Sequence, residues 1–108
     1  MDQPQLPLTS AVFQVLVALA DGERHGYALL KEVARQTDGR IRLSTGTLYG
    51  IIDRLLADGL IADRTVRDRR LYRLTPLGRR TALAEADRLE ALLAQARGTR
   101  ALRRPSGA

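Results

Sequence analysis

The segment Ser44–Leu60, STGTLYGIIDRLLADGL, decides how this chain is read. Leu48, Ile51, Ile52, Leu55 and Leu56 recur at spacings of three and four, the pattern of one buried helix face. Ser44 is a side-chain cap and Gly59 a C-terminal stop, so the spacing predicts a helix from Ser44 to Asp58. Its first turn is unusual. Thr45, Gly46, Thr47 and Tyr49 are small or hydroxyl-bearing and, with Gly50, Asp53, Arg54 and Ala57, fall outside the apolar seam. A helix made only to be packed needs no such open first turn. Helix N-termini present free N–H groups and a positive dipole end to phosphate, and in a major groove their side chains reach base edges. The plainer reading makes Ser44 a cap, Gly46 a tight entry and Tyr49 half-buried packing, and composition alone leaves both open.

Upstream, Thr9 or Ser10 caps a first helix running to about Ala20, with Val12, Phe13, Leu16, Val17 and Ala20 on one face. A second helix starts near His25-Gly26 and runs to about Thr37, its apolar side formed by Leu29, Leu30, Val33 and Ala34. Asp38-Gly39 ends it, and Ile41-Arg42-Leu43 alternates like a very short strand. Downstream, Leu60–Val66 and Arg70–Thr75 read as two strands around a turn at Arg67-Asp68-Arg69. Thr75-Pro76, a cap followed by proline at the first helical position, opens a fourth helix to about Ala96. Leu77, Ala82, Ala86, Leu89, Leu92, Leu93 and Ala96 give it an apolar stripe longer than one small core can cover, and its end, Leu89 to Ala96, is expected to pair with a second copy.

The expected fold is therefore mainly α with a small β-hairpin: a winged helix-turn-helix plus a long C-terminal dimerisation helix. The divisions are a flexible arm at 1–8, a winged helix-turn-helix at 9–75, a dimerisation helix at 76–97 and a disordered basic tail at 98–108. In this arrangement the third helix enters the major groove.

Composition sets outer bounds. The 108 residues make one domain, 44% hydrophobic and 28% charged. The absence of cysteine removes disulfides and thiolate chemistry. No apolar run approaches membrane-spanning length and the first residues lack a signal-peptide pattern, so a cytoplasmic location is expected. The net charge of +6 favours a polyanionic partner, with Lys31 the only lysine among 18 basic residues. Arginine suits bidentate phosphate and guanine contacts. Arg64, Arg67, Arg69, Arg70 and Arg73 crowd the hairpin, against Asp63 and Asp68, where a winged helix would meet DNA backbone or minor groove. His25 is the lone histidine, a capping or packing residue rather than a ligand. No nucleophile–base pair stands out, so no enzyme, metal or cofactor is expected.

Four segments then carry a resemblance: HGYALL at 25–30, STGTLY at 44–49, DGLI at 58–61 and LYRLTPLG at 71–78. In this order and spacing the chain resembles the PadR family of bacterial transcriptional regulators from about Leu8 to Arg80. It is closest to the small subfamily with one C-terminal helix. The resemblance implies a cytoplasmic homodimer, usually a repressor, on a palindromic operator in double-stranded DNA, and many members release DNA on binding a small molecule. Carried onto this chain, Ser44, Thr45, Gly46, Thr47 and Tyr49 would sit at the operator, with Arg54 on the same helix. Arg67, Arg69 and Arg70 would form the wing. The fourth helix would swap onto the partner's first helix, with Phe13, Leu89, Leu92, Leu93 and Ala96 at the dimer interface. The chain departs from the family where proline often replaces Thr45 and Gly50, in a short wing, and in having no tryptophan for stacking flat drugs; Phe13 is the one aromatic placed for that. A rival reading is a winged-helix protein–protein adaptor without specific DNA binding, which an acidic or apolar third-helix face would favour. Asp53 points that way, and Arg54 and the basic hairpin point the other.

Overall fold

A computed structural model describes residues 5–105. Four helices and one hairpin follow in the order α1 (Ser10–Ala18), α2 (Gly26–Gln36), α3 (Thr45–Ala57), β1 (Ile61–Val66), β2 (Arg69–Leu74) and α4 (Pro76–Gly98), with a 3-10 turn at Arg100–Leu102. The winged helix-turn-helix architecture is thus present. Three helix starts are written in hydroxyl side chains. Thr9, Ser44 and Thr75 each accept the backbone N–H three residues on, from Val12 (3.2 Å), Thr47 (3.1 Å) and Gly78 (3.0 Å). Each such cap stabilises its helix by about 1 kcal/mol. His25 occupies the same position in α2 without a side-chain cap bond.

The core joins Val15, Leu16, Ala18 and Leu19 of α1 and its end, Leu29 and Val33 of α2, Leu48, Ile52 and Leu55 of α3, and Ile61 and Tyr72 of the hairpin. On α3 the buried positions fall at i, i+4 and i+7, so the open first turn faces away from the core. Gly39, at φ +78°, closes α2 by donating its N–H to the Ala34 carbonyl (2.7 Å).

Several expectations are corrected. The inward face of α1 is Val15, Leu16, Ala18 and Leu19, while Phe13 and Val17 are half-buried and Ala20 is exposed past the helix end. The segment SAVFQVLVA is apolar nearly all round, so periodicity could not select a face. Ile41–Leu43 forms no strand, because the Ile41 N–H is taken by Thr37 Oγ1 (3.0 Å) and no strand lies alongside. The extra pairing partner of the hairpin is Arg24, which exchanges both backbone bonds with Tyr72 (3.1 and 2.9 Å). The turn contains two residues, not three. Arg67 (φ 52°) and Asp68 (φ 64°) both adopt left-handed backbone, as a type I′ hairpin turn requires, and Arg69 already pairs with Val66.

In α4 the buried residues are Gly78, Thr81 and Glu85, and Ala86 of the expected stripe is exposed. The Glu85 carboxylate, 1% exposed, is satisfied by Arg88 (2.6 and 2.8 Å) and by the Leu8 N–H (3.2 Å), which fastens the N-terminal arm onto α4. Gln5–Leu8 are without regular structure. At the other end the helix includes Gly98, and Arg97 reaches past it to donate to the Leu102 carbonyl (3.0 Å). Residues 1–4 of the arm and 106–108 of the tail lie outside the described residues.

Candidate nucleic-acid interface

The buried seam of Leu48, Ile52 and Leu55 turns the rest of α3 to solvent. Ser44, Thr45, Gly46, Thr47, Tyr49 and Arg54 are all exposed there. Ser44 is occupied by its own cap: its hydroxyl accepts the Thr47 N–H and donates to Thr47 Oγ1 (2.9 Å). Thr47 keeps its hydroxyl proton to donate elsewhere. Gly46 and Gly50 have open space where a Cβ would stand. Arg54 is 81% exposed and only loosely held by Asp58 (3.7 Å).

Tyr49 serves two surroundings. Its hydroxyl lies against Gly26 of α2, where an added Cβ would come within 2.3 Å of it, yet 40% of the residue remains exposed. The plainer packing reading therefore holds for the inner edge of the ring and leaves the outer edge available. This contact also gives a reason for the glycine in HGY: it is the seat of a tyrosine 23 positions away.

The hairpin's five arginines divide into two sets. Arg64 is bonded to Glu23 (2.8 and 2.6 Å), and Arg70 is bonded to Asp63 while lying over the Tyr72 ring. These hydrogen bonds hold the Glu23 and Asp63 carboxyls below their ordinary range. Burial pushes the Tyr72 phenol up. Arg67, Arg69 and Arg73 make no ion pair among the described residues. Exposed pairs of the first kind contribute little and are screened by solvent, so a phosphate can compete for Arg64 and Arg70 as well.

Between α2, α3 and β2 lies a cleft of about 360 Å³ whose walls include His25, Tyr27, Tyr49, Arg69 and Arg70. It brings together the start of α2, Tyr49 of α3 and the hairpin. Arg69 Nη1 stands 3.5 Å from His25 Nε2, and Lys31 sits over the exposed Tyr27 ring. His25 and Tyr27 were not legible as part of this surface, since nothing local in sequence joins them to Arg69.

On α4, Leu89, Leu92 and Leu93 are exposed by 41%, 49% and 56%, and Ala96 is half-buried, as is Phe13 on α1. Among the described residues no group of three or more His, Cys, Asp or Glu is placed to hold a metal ion, and no helix is long and apolar enough to cross a membrane.

Comparison with known proteins agrees with this architecture. The Bacillus subtilis PadR structure in complex with operator DNA matches with a TM-score of 0.63 at 22% identity, over 77% of this chain and 48% of that one, a likeness of fold. Bordetella bronchiseptica BpsR, described through the regulation of its DNA binding by 6-hydroxynicotinic acid, matches with a TM-score of 0.67 at 29% identity, over 94% of this chain and 77% of that one. Transcriptional regulator Rv3488 of Mycobacterium tuberculosis is 41% identical over 88 residues, 78% of this chain and 79% of that protein. The sequence profile of the Transcriptional regulator PadR-like family matches residues 15–84, from the middle of α1 into α4. By that match and by its similarity to Rv3488, the chain belongs to the PadR-like family of transcriptional regulators.

Proposed function

We propose that this regulator is a cytoplasmic homodimeric repressor that binds a palindromic operator and is released by a small molecule. The observation that carries the DNA reading is the cleft that joins Tyr49 of α3 to Arg69 and Arg70 of the hairpin, beside an exposed α3 first turn. Thr45, Gly46, Thr47 and Tyr49 would meet base edges. Arg54, Arg67 and Arg69 would meet phosphates, and Arg70 would do so by exchanging Asp63 for phosphate. Ser44 acts by holding the helix end rather than by contact.

The exposed leucines of α4 support the dimer. α4 continues to Gly98, about 20 Å beyond Glu85 at 1.5 Å per residue, with Leu89, Leu92 and Leu93 on a face that the described residues do not cover. A two-fold partner would set two α3 helices about one DNA turn apart. Phe13 and Ala96, both half-buried, would border that contact. The reported regulation of BpsR by 6-hydroxynicotinic acid supports looking for an effector here.

Fluorescence anisotropy on DNA from the protein's own upstream region, against scrambled DNA across a salt series, tests the reading. Tight, selective binding with a steep salt dependence is expected. Equal binding to both sequences, and to other promoter fragments, would favour the adaptor reading instead. Leu92→Asp should convert a dimer to monomers on a sizing column; a dimer that survives it would remove α4 from the interface.

A further inference from the structure

A second, larger cleft, of about 880 Å³, lies on the opposite flank of α3 from the hairpin, between the N-terminal arm, α1, α3 and α4. Small-molecule sites span roughly 300–1,000 Å³. Its apolar walls come from Leu6 and Pro7 of the arm, Val12 of α1, Ile51 and Leu55 of α3, and Leu77 of α4. The arm wall is fastened in place: the Leu8 N–H is held by the buried Glu85 carboxylate, itself clamped by Arg88.

The chemistry of the lining narrows the occupant. Among the described residues no lining side chain is aromatic, so none of them stacks a flat ring. The two charges on the lining, Arg54 and Asp58, are of opposite sign and face each other at 3.7 Å, so the cleft favours no net charge on its occupant. The Thr47 hydroxyl keeps its proton for a small polar head, while Thr81 Oγ1 already donates to the Leu77 carbonyl (2.8 Å) and can only accept. We propose that this cleft binds a neutral aliphatic amphiphile, such as a medium-chain alcohol, amide or ester. Thr47 and Arg54 belong both to this cleft and to the surface assigned to DNA, so occupant and operator exclude one another. This second clause rests on the DNA reading above, whereas binding itself does not.

The probes are 1-hexanol, 1-heptanol and 1-octanol, titrated into the full chain with labelled Ile, Leu and Val methyl groups. Shifts are expected at Leu6, Val12, Ile51 and Leu55, with affinity rising about fourfold per methylene. Gly50→Leu fills the mouth of the cleft. A Cβ at that position meets no atom within 4 Å; with its fold verified by circular dichroism, the variant should weaken octanol at least tenfold. Absent shifts, affinity indifferent to chain length, or an unchanged Gly50→Leu variant would each overturn the site. Binding that appears only in the Leu92→Asp monomer would show that a second copy covers the cleft and would overturn it equally. In the anisotropy assay, octanol should raise the apparent Kd for the operator fragment with wild type and not with Leu6→Asp, which puts a charge on the arm wall of the cleft, away from α3. If octanol binds as described while DNA affinity is unmoved, the exclusion is wrong. If octanol binds and the chain shows no DNA selectivity at all, the DNA reading has failed and the cleft stands.

Discussion

Gly78→Ala is the sharpest test of how α4 is mounted on the DNA-binding unit. A Cβ at Gly78 would lie 1.9 Å from the Leu60 carbonyl oxygen and 2.9 Å from its carbon. The obstacle is backbone, and that oxygen already accepts the Thr75 N–H (3.1 Å), while Thr75 Oγ1 donates to the neighbouring Gly59 carbonyl (2.6 Å). Separation by more than 1 Å is needed, and it breaks the Thr75–Leu60 bond. The lost bond costs about 1–3 kcal/mol, and overpacking costs a further ~1–3 kcal/mol. The better helix propensity of alanine returns about 1 kcal/mol. The net is a destabilisation of about 3 kcal/mol, or a fall in Tm of about 12 °C at ~4 °C per kcal/mol. Gly50→Ala is the control, since a Cβ there meets no atom within 4 Å, so it should gain up to about 1 kcal/mol. Thermal and urea unfolding followed by circular dichroism, at one fixed protein concentration, measures both. A Gly78→Ala protein as stable as wild type would refute the close approach of α4 to the Leu60 backbone just before β1.

Gly26→Ala meets only the flexible end of Tyr49, so Tm should move by a few degrees at most. The displaced ring should weaken operator binding severalfold, and unchanged anisotropy would separate Tyr49 from the operator. Arg88 and the Leu8 N–H hold the Glu85 carboxyl below its ordinary value of 4.5. Its contribution to stability is therefore present above that value and is lost as pH falls through the lower folded value. Glu85→Gln should be less stable at pH 7 and show a shallower loss below about pH 4.5 in urea midpoints measured from pH 3 to 7. Arg67→Ala and Arg69→Ala should each reduce the slope of log K against log salt by about 1. Arg64→Ala, which also frees Glu23, should disturb binding through an added unpaired anion as well as a lost cation.

Legibility in the sequence followed the range of the forces. The caps at Thr9, Ser44 and Thr75 act over three residues and were readable as local signals. So was the seam of α3, because its outer face is polar enough for a period to emerge. The face of α1 was not, since an almost uniformly apolar helix has no period to read. The hairpin turn was placed but read one residue too long, because Arg67-Asp68 adopts the left-handed backbone usually advertised by Asn-Gly, and the pairing of flanking strands imposes it here. The buried Glu85 was invisible for a different reason. Its partners are one turn away in α4 and 77 residues away in the arm, and the second is known only once the fold brings them together. Within the candidate interface, the exposed first turn of α3 was legible. The division of the arginines into paired and unpaired sets was not, because Glu23 meets Arg64 only across the folded chain.

Gly46 and Gly50 stand on the outer face of the third helix with empty space where any side chain would begin. The first carbon of a side chain placed there would touch no other atom of the protein within 4 Å. If this face reads DNA as proposed, the scaffold leaves free what it carries there. On that reading, a descendant of this chain could change its target at these two positions without a steric cost at the Cβ. A laboratory library randomised at Gly46 and Gly50 starts from the same freedom, with nearly every member folded and the differences between members confined to what they grip.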